Sequence, residues 1–118
     1  MKLKLPKDDE RISWTKHVKG KMKFYGLSEG RLRRLLSNPK RKETGIVPET
    51  IAIMQPAGSK KHPTEIWLMY QIISQRSKTK GQKIRIISAW RYPGVSPISQ
   101  PPPIPEDIAQ ELLKERKI

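Results

Sequence analysis

The sequence predicts an α+β domain: two N-terminal helices packed on a three- or four-stranded antiparallel sheet, with a helix at the C-terminus. Three observations carry this expectation. Apolar residues recur at helical spacing through the first third of the chain. From about residue 45 the pattern changes to short β-branched and aromatic runs divided by turn residues. The connections between those runs are short, which favours an antiparallel meander, and helices grouped before strands read as α+β.

Residues 1–10 read as a loose arm. Residues 11–14, RISW, fit either a short strand or the lead into a helix that Ser13 or Thr15 can cap. Trp14, Val18, Met22 and Tyr25 then share one helical face, and Gly26 supplies the usual helix end. Ser28 caps a second helix that has Glu29 in its first turn and turns Leu32, Leu35 and Leu36 inward; Asn38-Pro39 stops it. Residues 45–48 suit a short edge strand, because Pro48 cannot donate to a central ladder. Residues 50–55 are expected to form a strand, 56–63 a turn-rich loop, and 64–74 a longer strand that is apolar on both faces, as a covered central strand is. Residues 77–82 read as a polar loop with Gly81 at a positive-φ position, and 83–90 as the last strand. Six of the eleven prolines lie in residues 93–105, an extended linker in which the PPP run is a spacer. A final helix occupies 106–118 and opens with Pro105 and two acids; Ile108 and Leu112 share a face and are expected to be buried when it folds back. The organisation is thus an arm (1–10), a basic domain (11–92), a linker (93–105) and a C-terminal helix.

At 118 residues the chain suits one domain with one modest core. No apolar run approaches the roughly 18 residues that cross a bilayer. The opening MKLKLP is too short and polar for a signal peptide. There is no cysteine, so thiol chemistry and disulfides are excluded, and His17 and His62 alone do not make a zinc site. These features fit a cytoplasmic protein with no cofactor, no metal and no membrane partner. The charge is the strongest signal: 25 Lys and Arg against 11 Asp and Glu, a net +14. Residues 11–42 carry eleven basic residues and one acid, and residues 76–91 carry six basic residues and no acid. The last fourteen residues hold four acids and three bases. Solvated surfaces usually mix both signs, so two acid-poor blocks point to a polyanion.

Basic side chains interleaved with aromatic ones suit single-stranded RNA, whose phosphates need cations and whose bases stack. His17, Lys21 and Phe24 form a second stripe on the first helix, and Arg31 and Arg34 neighbour one another on the second. Regular alternation along the last strand puts Arg85, Ile87, Ala89 and Arg91 on one face, with Trp90 and Tyr92 as aromatic planes beside Arg91. The nucleic-acid-binding candidates are Lys16, Lys21, Arg31, Arg34, Lys83 and Trp90. For cleavage, Arg85, Arg91 and Lys21 would hold a phosphate while His17 or Tyr92 moved the proton of the 2′-hydroxyl. Arg85, between isoleucines, fits an ion pair or a phosphate contact equally well. No Walker loop, nucleophile elbow or metal-ligand motif is present.

Two segments resemble a known family. The run KIRIISAWR at 83–91 is similar to the RIISAR strand of BrnT-type toxins, which belong with the RelE-like ribonucleases. WTKHV at 14–18, with Met22 and then YGLS at 25–28, looks like the opening of an uncharacterised prokaryotic family of that superfamily. The likeness covers roughly residues 11–92, with Arg85 at the motif's first arginine and Trp90 at its second. It implies a compact RNA-cleaving or RNA-binding domain, in the first case a metal-independent endoribonuclease of toxin type, with RNA or the ribosome and an acidic, antitoxin-like protein as partners. The other readings are a non-catalytic RNA- or ribosome-binding module, and an interaction protein acting through the Pro-rich tail.

Overall fold

The computed structural model describes residues 4–75 and 82–116. Most of the loop expected at 77–82 and part of the 76–91 basic block lie outside the described residues. The element order is β1 (Ile12–Trp14), α1 (Lys16–Tyr25), α2 (Glu29–Ser37), β2 (Arg41–Thr44), β3 (Thr50–Gly58), β4 (Pro63–Gln75), β5 (Gln82–Pro93) and α3 (Glu106–Arg116). The α+β class holds, but its arrangement differs from the expectation. The sheet has five strands in the order β1-β5-β4-β3-β2, and it is mixed, because β1 runs parallel to β5. A strand therefore precedes the helices, and strands and helices interleave.

The helices are specified locally. Thr15 accepts the Val18 amide at 3.1 Å and donates to the Ile86 carbonyl at 2.8 Å, so one hydroxyl both caps α1 and fastens it to β5. Gly26 ends α1 at φ 68°, in the left-handed region open to glycine. Ser28 caps α2 through the Arg31 amide at 3.1 Å. Asp8 and Asp9 tie the preceding chain to β1, accepting the Trp14 amide at 2.7 Å and the Arg11 and Ile12 amides at 2.8 Å. The edge strand expected at 45–48 lies instead at Arg41–Thr44, paired with β3. Residues 45–49 form the turn between them: Gly45 donates to Thr50, and Glu49 takes a φ of 64° that ends strand geometry.

Each sheet face has its own core. On one, Val18, Met22, Leu32 and Leu35 of the helices meet Ile53, Ile66, Leu68 and Ile86. On the other, Ile108 and Leu112 of α3 cover Ala52, Met54, Trp67, Met69 and Trp90. The Pro-rich stretch is fastened to this second face. Ser96 is buried, and Arg41 donates to the Ser96 hydroxyl at 2.9 Å, to Pro97 O at 3.1 Å and to Gln100 O at 3.0 Å.

Register decides which side chains share a face. Met69 pairs with Ser88 and Tyr70 with Ile86, so Ile87 is an extra residue on β5. This bulge reverses the alternation beyond it. Ile84, Ile86, Ala89 and Arg91 look toward α1 and α2, whereas Arg85, Ser88, Trp90 and Tyr92 look toward the α3 side. The shared face of Arg85 and Arg91 expected from unbroken alternation is therefore corrected. No helix among the described residues is long and apolar enough to cross a membrane.

Candidate nucleic-acid interface

The fold sorts its cations into two groups. Lys21 pairs with Asp107 at 2.9 Å and Glu111 at 3.0 Å, Arg33 with Glu29 at 2.8 Å and Asp9 at 3.2 Å, and Arg41 with Glu43 at 2.6 Å. The first two sets join α1 to α3 and α2 to the N-terminal arm, while the Arg41–Glu43 pair lies within β2, whose Arg41 also holds the Pro-rich strap that follows β5. Within the described residues, no carboxylate pairs with Lys16, Arg31, Arg34, Lys83, Arg85 or Arg91.

Three of these unpaired cations gather at one end of the helical face. Arg31 donates to Gln55 Oε1 at 2.7 Å, and Arg91 donates to the Tyr25 carbonyl at 3.4 Å. Arg34 is exposed, and its side chain bonds to no described residue. Burial pushes the Arg31 ionisation down, and the positive charges of Arg34 and Arg91 push it further the same way. Arg31 and Arg34 lie one helical turn apart with Arg91 beside them, and among the described residues no carboxylate pairs with any of the three; such a cluster can seat an external anion, each guanidinium gripping a phosphate with two bonds. Arg91 reaches this place because the bulge turned it away from Arg85.

The four candidates for cleavage chemistry do not meet. Arg85 is exposed on the α3 side of the sheet, 3.5 Å from Gln71 Oε1. Tyr92 lies on the same face seven residues along the strand, and Arg91 lies on the opposite face. His17 reaches around the sheet edge, with Nε2 2.9 Å from the Ser88 hydroxyl and Nδ1 3.0 Å from Glu111 Oε2. That serine–histidine–glutamate order resembles a nucleophile relay, but Ser88 is fully buried, so the arrangement docks α3 on the sheet. Among the described residues, no three His, Asp or Glu side chains converge as a metal ion requires.

Of the binding candidates, Lys16 is exposed and Lys21 is held by the α3 acids. Lys83 is half-buried and donates to the Asp9 carbonyl at 3.4 Å. Trp90 is a correction: it is fully buried, with its ring stacked on Trp67 at 6.1 Å, and is a core side chain with no face free for a base. The exposed aromatic is Phe24, which the sequence showed only as part of a helical stripe. A signal was available there, since Phe24 lies off the Trp14–Val18–Met22 core stripe among lysines.

Compared with known proteins, the chain matches no family model, and no curated protein or solved structure is significantly similar to it.

Proposed function

We propose that this protein binds RNA, with Arg31, Arg34 and Arg91 as the principal phosphate seat. One observation carries the reading. The fold neutralises Lys21, Arg33 and Arg41 with its own acids, yet leaves these three arginines adjacent and without a carboxylate partner among the described residues. Mutual repulsion of this kind is relieved by a bound polyanion. The separation of Arg85, Arg91, His17 and Tyr92 favours binding over cleavage, so RNA incubated with the protein in EDTA is expected to stay intact while it binds.

Arg34 gives the clean test, because it takes no part in the packing. Arg34→Ala is expected to leave the melting temperature unchanged and to weaken RNA binding several-fold, with fluorescence anisotropy as the measurement. Unchanged affinity would remove the arginine cluster from the interface. Cleavage of RNA that is lost on Arg85→Ala would restore the ribonuclease reading.

A further inference from the structure

We propose that the groove between α1 and α3 is a base-stacking subsite for single-stranded RNA, with Phe24 as the platform and Lys16 and Lys114 as its phosphate contacts. The inference rests on the RNA reading above and assigns that surface its strand preference.

The groove has a volume of about 720 Å³ and is lined by Lys16, His17, Gly20, Lys21, Phe24, Glu111 and Lys114. Lys16, Gly20 and Phe24 succeed one another at i, i+4 and i+8, a single helical row. Gly20 leaves the middle of that row bare, and a Cβ built there would meet nothing within 4 Å. A ligand can therefore lie close to the α1 backbone between Lys16 and the Phe24 ring. Phe24 is 73% exposed, in a helix whose apolar face already buries Val18 and Met22. It serves no core, but it is not loose. The Lys21 ammonium lies 5.7 Å from its ring centroid, and the Tyr25 ring meets it edge-on at 4.8 Å. The carboxylate in the groove, Glu111, is held by Lys21 and by His17, which limits its repulsion of a phosphate.

The arginine cluster begins at the same end of α1 as Phe24. Tyr25, the neighbour of Phe24, gives its carbonyl to Arg91. A strand stacked on Phe24 would round the end of α1 onto Arg91, Arg31 and Arg34. An aromatic platform reaches only unpaired bases, because those of a duplex are stacked on one another inside it. Base–aromatic stacking is also tolerant of sequence, which fits a site with few polar readers.

The test uses the full chain with a single-stranded RNA and a duplex of equal length. Phe24→Ala is expected to weaken single-strand binding about tenfold and to leave duplex binding and the melting temperature unchanged. Phe24→Trp is expected to restore affinity and to show emission quenched by the RNA, while Phe24→Leu, apolar but without a π face, does not restore it. Parent protein that binds neither RNA would defeat the RNA reading itself. Parent protein that binds both, with no loss on Phe24→Ala or an equal loss for strand and duplex, would overturn the subsite alone. If polyglutamate displaces the strand and Phe24→Ala weakens both ligands alike, the groove is a site for an acidic polypeptide and the proposal fails.

Discussion

Glu65 is 2% exposed at the start of β4 and accepts three hydrogen bonds: from Trp67 Nε1 at 3.0 Å, the Ser96 amide at 3.1 Å and the Ser96 hydroxyl at 2.6 Å. The Arg41 guanidinium, 5.1 Å from the Trp67 ring centroid, closes the arrangement by donating to the same hydroxyl. One carboxylate thus fixes both a core tryptophan and the strap that carries α3. Glu65→Ala would strand three buried donors, and the expected loss is about 3 kcal/mol, read as a lower urea midpoint. Ser96→Ala should cost less, since the amide contact survives. A stability unchanged by Glu65→Ala would mean that water satisfies these donors. None of this was legible in the sequence, where a lone glutamate at a strand end reads as a solvent-facing residue. Its partner Ser96 lies 31 residues on, within a stretch that composition described only as an extended linker.

Among the elements, α1 and α2 were legible because their signals are local: a capping hydroxyl, an apolar row at i and i+4, a terminal glycine. The strand β1 was left open because three residues carry no periodicity, and its pairing with β5 is made far along the chain. The bulge was illegible for another reason: two adjacent isoleucines, Ile86 and Ile87, satisfy either register, and the choice between them transfers Arg91 and Trp90 to opposite faces. The Ile108 and Leu112 spacing did foretell the buried side of α3. The attachments of α3 and of the N-terminal arm are sensitive to acid. The hydrogen bond from Lys21 holds the Asp107 carboxyl below its ordinary 3.8, and the Arg11 and Ile12 amides lower that of Asp9. Carboxyls with lowered folded values stabilise the fold above the ordinary value and lose that contribution as pH falls through the lower one. The melting temperature is therefore expected to hold from neutrality to about pH 5 and to drop below about pH 4. Asp107→Asn should flatten part of that drop, and an identical profile for the variant would remove Asp107 as a source.

For the whole molecule, the net charge of +14 is unevenly disposed. Asp9, Glu29, Glu43, Asp107 and Glu111 pair within the fold, and among the described cations left over Lys16, Arg34 and Arg85 are exposed. RNA affinity should consequently fall steeply with salt. Contact with about five phosphates gives a log–log slope of about −3.5 on a single strand, and Arg34→Ala should make it shallower by about 0.7. A slope near zero would exclude a polyelectrolyte contact. The two acid-poor blocks carry this expectation, but they did not tell which cations the fold would withdraw for its own pairing.

The parallel union of β1 with β5 also sets an order in time. Ile12 meets Ile84 only after about seventy intervening residues have been gathered, and closing a loop of that length costs entropy before the contact offsets it. While the chain is being made, α1 and α2 can wind as soon as they emerge, yet the edge that anchors Thr15 does not exist until β5 follows. The β1–α1 end of the first basic block therefore stays unanchored until β5 has emerged, whereas α2 and β2 can already meet β3. Only β5, paired with β1 on one side and β4 on the other, joins the two ends of this order into one sheet.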